Sequence, residues 1–205
     1  MKPSYPIPAR MRHLERDRRG YAIPVIVLRD NTGKPHFTIN DEALRQRCIY
    51  GDLCSICGTK LFRNRWAVAG PLSMLHEVGR VIDTPVHREC LLYALHMCPY
   101  IAAPNWNPDK RIDTKTLKPE DAPEHLVLTD PSMMTNRPPL FVAAMFRDVR
   151  WFGDNGLAQY YAPVRPYLAI EYWQHGKQLP QAEGEALARD YMPAQLERHL
   201  KGATP

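Results

Sequence analysis

Two pairs of side chains in this 205-residue chain have the types and spacing that hold a metal ion. In Cys54-x-x-Cys57-Gly58, two thiolates sit on a tight turn whose backbone amides can point at the sulfurs. A glycine after the second cysteine tolerates the positive φ that such turns often need. A lone C-x-x-C is also a redox motif or a coincidence, and it is the second pair that makes it specific. His87-x-x-Cys90 falls where a helix is expected to begin, so i and i+3 share one face. The positive end of the helix dipole favours a thiolate there. Twenty-nine residues separate Cys57 from His87, enough for a hairpin that brings the helix start to the knuckle. Cys54, Cys57, His87 and Cys90 together have the Cys₃His composition of a closed structural site, and the expected cofactor is structural Zn²⁺. The plainer alternative is buried cysteines beside an ordinary core histidine.

The elements that must position these ligands are legible to different degrees. Tyr21–Leu28 reads as an extended segment, and Pro24 pushes it toward a sheet edge. The turn residues 30–35 lead to a returning strand at His36–Ile39. Asn40 or Asp41 can cap a helix over Glu42–Ile49, which Gly51 ends. A second hairpin is expected from Lys60–Phe62 and Trp66–Ala69, turned over Arg63-Asn64-Arg65. A helix follows from Pro85 to about Met97, with Thr84 as N-cap, Pro85 in the first turn and Pro99 enforcing the stop. Leu91, Leu92, Leu95 and Met97 are its expected core contacts. Eight prolines between Pro99 and Pro139 predict an irregular wrap with one strand near His125–Leu128. Phe141–Phe152 reads as strand or short helix, and so does Tyr167–Trp173. From Gln181 two short helices are expected, interrupted at Pro193. Knuckle, hairpin and ligand-bearing helix in this order resemble the treble-clef zinc fold. The fold class is thus α+β: a basic arm at 1–20, a zinc-containing core at 21–139 with its Pro-rich segment at 99–139, and a C-terminal strand/helix region at 140–205 packed on the core. No internal repeat is visible.

The formal charge is +5, and residues 1–20 hold a local excess of four positive charges, so the body is nearly neutral. Such an arm either binds phosphates through sequence-blind attraction or is a solvated, loosely ordered terminus, and the latter is the expectation. Five cysteines with no secretion signal beside them fit a reducing compartment, with Cys48 and Cys98 as packed residues. The longest apolar run, Ala22 to Leu28, has seven residues against the roughly 20 that a spanning helix needs, so no membrane partner is expected.

Enzyme signatures are absent: there is no phosphate loop, G-x-G-x-x-G, H-E-x-x-H or G-x-S-x-G, and the ligand order is the reverse of a zinc deaminase's. An HNH-type, metal-dependent nuclease is the alternative, with His76 as its base and His96 on the helix. It lacks the Asp-His or His-His pair and an asparagine between Asn64 and Asn105. The chain therefore reads as a non-enzymatic binding module for nucleic acid or a host protein. Its contact candidates are Arg10, Arg12, Arg16, Arg18, Arg19, Arg63 and Arg65. Trp66 could stack on a base, but the core is its expected place. A structural protein in which zinc only holds the fold is the third reading.

Several segments carry a resemblance. They are Arg10-Met11-Arg12, Arg18-Arg19-Gly20-Tyr21, Leu53-Cys54-x-x-Cys57-Gly58, Ala69-Gly70-Pro71-Leu72, Pro85-x-His87-x-x-Cys90 with Tyr93-Ala94, and Cys98-Pro99-Tyr100. Tyr172-Trp173-x-x-Gly176-Lys177 extends it loosely to the tail. They are similar to an uncharacterised zinc-binding family of bacteriophages and bacterial genomes. That resemblance implies a bacteriophage accessory protein in a bacterial cytoplasm and brings no activity with it.

Overall fold

A computed structural model describes residues 5–104, 137–154 and 156–202. The expected strand at His125–Leu128, and most of the Pro-rich segment, lie outside the described residues. The elements run β1 (Val27–Arg29), β2 (Pro35–Asn40), α1 (Glu42–Gly51), β3 (Arg65–Ala69), α2 (Pro71–Leu75), α3 (Arg88–Met97) and α4 (Pro99–Ala102). After the undescribed stretch come β4 (Phe141–Phe146), β5 (Val149–Asp154), β6 (Leu157–Pro163), β7 (Ala169–Gln174), β8 (Lys177–Gln178) and α5 (Gln181–Gly202). The fold is mixed α+β.

A four-stranded antiparallel sheet, ordered β3-β4-β7-β8, is the frame. Strand alternation buries it on both faces. Trp66, Phe141, Ala143 and Trp173 face α3 and the cysteine knuckle, whereas Ala67, Val142, Ala144, Phe146 and Tyr172 face α2, α5 and the β5–β6 hairpin. Leu91 and Leu95 of α3 are fully buried on the first face, each contributing roughly 2 kcal/mol of apolar burial. The expected core role of the α3 leucines holds, and Trp66 is a core residue, 7% exposed, with the Arg88 guanidinium 4.2 Å above its ring.

On the second face, a Cβ on Gly184 would lie 2.2 Å from Tyr172 Cβ, so α5 reaches the sheet only because this position has no side chain. Gly184→Ala is expected to lower the melting temperature, an overpacking cost of about 1–3 kcal/mol that outweighs the ~1 kcal/mol helix-propensity gain. A melting temperature that rises would contradict this packing.

Several expectations are corrected. The N-terminal segment is not a loose terminus from Tyr5 onward. Met11 is 1% exposed in the core, Arg16 bridges Ala22, and the Ala22 amide donates to Tyr93 Oη of α3 at 3.0 Å. The hairpin of Lys60–Phe62 with Trp66–Ala69 does not form. Lys60 bridges back to Leu53, while Trp66 exchanges two backbone hydrogen bonds with Val86 (3.0 and 2.8 Å), and β3 pairs along its other edge with β4. Because Val86 is spent in that pairing, Thr84 and Pro85 stay outside the helix. The helix begins at Arg88, with His87 as its N-cap residue. Helix α1 runs through Gly51 and is ended by Asp52 in the left-handed region at φ 53°, with Asp41 as its side-chain cap. Phe141–Phe152 becomes two strands, Tyr167–Trp173 contributes β7, and α5 continues through Pro193 as one helix.

Candidate metal centre

The knuckle is built by its own backbone. The Cys54 amide donates to Thr59 O (2.9 Å) and the Gly58 amide to Cys54 O (2.7 Å), closing the turn with Gly58 at φ 71°. The other ligand pair arrives on the start of α3, held beside the knuckle by the Trp66–Val86 bridge and by Ser55 Oγ donating to Thr84 O at 3.2 Å. Ligand atoms of Cys54, Cys57, His87 and Cys90 all lie within 4.8 Å of one another. The four residues are sealed from solvent, at 0, 1, 3 and 0% exposure. These side chains can hold a metal ion.

The imidazole is oriented for that role. His87 Nδ1 is 3.4 Å from Cys57 Sγ, and Nε2 lies 3.0 Å from Lys60 O, so a proton on Nε2 donates to the carbonyl and leaves the Nδ1 lone pair facing the sulfurs. This is the outer hydrogen bond that fixes the tautomer of a metal-bound histidine. Thr59 Oγ1 lies 3.1 Å from Cys57 Sγ and can donate to it. The four groups also share protons. Hydrogen bonds from Cys54 and Cys90 hold the Cys57 thiol far below its ordinary value, while the same contacts with Cys54 and Cys57, together with burial, push Cys90 far above it. Burial opposes a charged His87, but hydrogen bonds to the Cys54 and Cys57 sulfurs outweigh it and raise the ring to about 9.

Protons and a metal thus compete for the same lone pairs, and lower pH favours the protons. Metal transfer to a chelator is expected to accelerate as the pH falls from 8 to 5, monitored with a metal-sensitive dye. A release rate independent of pH over that range would contradict the ligand set.

The remaining candidates fall into three groups. Cys48 is buried, its thiol pushed up to about 11 chiefly by burial, and Cys98 caps the end of α3; neither joins the four ligands. His76 also stands outside them. It ends α2, and its Nδ1 accepts from the Val78 amide at 3.3 Å, while His96 stacks on Tyr5 with ring centroids 4.3 Å apart. Of the contact arginines, Arg10 pairs with Glu89, Arg19 with Asp17 and Arg65 with Asp52, at 3.1, 2.7 and 2.8 Å. Arg12, Arg16, Arg18 and Arg63 are exposed and make no such pair among the described residues.

Sequence reasoning missed the supports of the site. Arg88, beside His87, grips Glu171 of β7 through two hydrogen bonds of 2.8 and 2.6 Å and so ties the ligand-bearing helix to the sheet. Phe62 lies edge-on to His87 at 5.1 Å. His13 Nε2 lies 3.0 Å from Cys57 O. Thr59 was missed as well, although the tight turn that brings that position back toward the sulfur is a local signal; Arg88, Phe62 and His13 carried none.

No protein-family model, curated protein or solved structure matches the chain. Among the described residues, no helix is long and apolar enough to cross a membrane.

Proposed function

We propose that this chain is a zinc-stabilised, non-enzymatic binding protein in which Zn²⁺ holds the fold and exposed arginines contact nucleic acid. The observation that carries the structural role is the sealing of all four ligands, which leaves no open position for water or substrate. Three soft thiolates and an imidazole are a donor set that suits zinc. A tetrahedron with Zn–S bonds of ~2.3 Å needs sulfurs roughly 3.8 Å apart, so the ligands need contract only slightly. The order of knuckle, β3 paired to Val86, and ligand-bearing helix supports a treble-clef-type reading. His76, which the nuclease alternative needs beside the metal, is engaged elsewhere. The further reading, a bacteriophage accessory protein in a bacterial host's cytoplasm, rests on the segment resemblance alone.

Elemental analysis of the purified protein is expected to give one zinc per chain, and its absence would remove the reading. The nucleic-acid part is tested by gel shift. Binding should weaken with salt as phosphate contacts release counterions, and it should fall when Arg12, Arg16, Arg18 and Arg63 are replaced by alanine. No affinity at low ionic strength, or binding untouched by the four substitutions, would reject it.

A host-protein partner is the second reading, favoured by a groove of about 680 Å³ between the β1–β2 hairpin and α3. Its walls include Ile26, Phe37, Val68, Ala94 and Met97, and its lining includes the exposed cations Arg19 and Lys34. The complementary partner is an apolar segment with acidic flanks. Capture that survives nuclease treatment and disappears in Ala94→Arg would favour it over nucleic acid.

A further inference from the structure

We propose that Arg10 is the counter-charge of the metal–thiolate centre, a positioning residue that retains the metal and shields the sulfurs. This inference rests on the zinc reading above. Three thiolates and one imidazole around a divalent ion leave a net charge of −1 in a site sealed from water, and a buried charge without a partner is costly. Among the described residues, Arg10 is the cation placed against the outside of that site by several contacts at once.

Its Nε donates to Glu89 Oε2 at 3.1 Å, next to the ligand Cys90. Its Nη1 donates to Thr59 Oγ1 at 3.4 Å, and that hydroxyl lies 3.1 Å from Cys57 Sγ. Its guanidinium carbon sits 5.0 Å above the Phe62 ring, which lies edge-on to His87 at 5.1 Å. Two of the four ligands, Cys57 and His87, are therefore touched through a neighbour that Arg10 holds, and the third residue it holds, Glu89, directly precedes Cys90 in the chain. Residues 9–11 form one turn of 3-10 helix anchored by buried Met11, and His13 Nε2 lies 3.0 Å from Cys57 O just beyond, so the backbone delivers the cation to a fixed place. Glu89 lies on the more exposed side of this pair, 52% against 23% for the Arg10 side chain, so water screens its charge more than it screens the guanidinium's. Arg10 thus leaves the set of nucleic-acid contacts that its sequence position suggested.

Two consequences are measurable. A cation beside the sulfurs stabilises the bound thiolates and lowers their nucleophilicity. Toward iodoacetamide, a sulfur lone pair attacks the methylene carbon, the C–S bond forms as the C–I bond breaks, iodide leaves, and the thioether product no longer holds the metal.

The experiment uses the zinc-loaded full chain with Arg10→Met, which keeps the apolar stem over Phe62, and Arg10→Lys, which keeps the charge. Zinc transfer to a chelating dye and alkylation by iodoacetamide are followed at low and high salt. Arg10→Met is expected to release zinc about tenfold faster, the lower end of what losing an outer hydrogen-bond partner costs a metal site, and to be alkylated faster. Arg10→Lys should restore most of the retention. Wild-type release should quicken with salt, which screens the attraction, and Arg10→Met release should not. Equal rates for Arg10→Met and wild type, equal loss in Met and Lys variants, or salt-independent wild-type release would each overturn the proposal. Wild-type protein isolated without zinc would instead overturn the zinc reading, so the two failures are distinguishable. If a variant does not fold, the salt dependence of the wild type decides.

Discussion

Stripping the zinc-loaded protein of its metal, or replacing Cys57 with alanine, is expected to unfold the part of the chain that the centre organises. In zinc-finger peptides structural zinc contributes an apparent ~10–16 kcal/mol at neutral pH, as large as the whole stability of an ordinary domain. The knuckle, the start of α3 and the N-terminal segment meet around the four ligands, and Cys54, Cys57 and Cys90 are members of the core cluster that includes Trp66, Leu91 and Trp173. Without the ion, three sulfurs and a ring raised to about 9 are left crowded together away from water, with only one another and the neighbouring Thr59 and Lys60 to satisfy them. Circular dichroism and thermal melting with and without chelator measure the effect. A metal-free protein that melts at the wild-type temperature would show that the ion is a passenger.

Arg45→Met should be the most damaging substitution away from the centre, at about 3 kcal/mol or more. Arg45 is 2% exposed, although it belongs to an outer helix. Its guanidinium donates to Ile82 O at 3.2 and 3.1 Å, to Ala158 O at 3.2 Å, to Gln159 O, and to Glu42 Oε1 at 2.7 Å. A methionine fills a similar volume but leaves the carbonyls of the 82 loop and of β6 without this donor and Glu42 without its cation. The urea midpoint should fall with an unchanged slope. A loss below about 0.5 kcal/mol, the range of ordinary surface substitutions, would mean that water or a neighbour satisfies these oxygens.

The four residues that can hold a metal ion were legible because both pairs are local spacings, set by one tight turn and one helix start. The turn before β2, β2 itself and α1 were legible for the same reason, through Asp30-Asn31-Thr32-Gly33 and the Asp41 cap, whereas the expected extended segment Tyr21–Leu28 is strand only from Val27, in a β1 that ends at Arg29. What was not legible is held by partners remote in sequence. Thr84-Pro85 is a good helix start in isolation, but the neighbouring Val86 backbone finds Trp66 and stays extended until His87. Trp66–Ala69 looked like one arm of a local hairpin, and its sheet partner is Phe141–Phe146. Arg45 carried no signal in the sequence, because nothing nearby announces the β6 carbonyls that it meets. The arginine-rich start looked like a solvated, loosely ordered terminus. Its apolar members Ile7, Met11 and Leu14, spaced among the charges, pack it against the core instead.

The pairing of β3 with β4 also orders events during synthesis. A nascent chain that has released Cys90 from the ribosome owns every ligand of the centre, yet β3 still lacks the strand beside it. On the zinc reading, ion capture would thus be available first, and closure of the frame would come later, when Phe146 and then Trp173 emerge. A translation arrest placed between those two moments should yield a metal-loaded, protease-sensitive stump, whereas one placed beyond Gln174 should yield a resistant body.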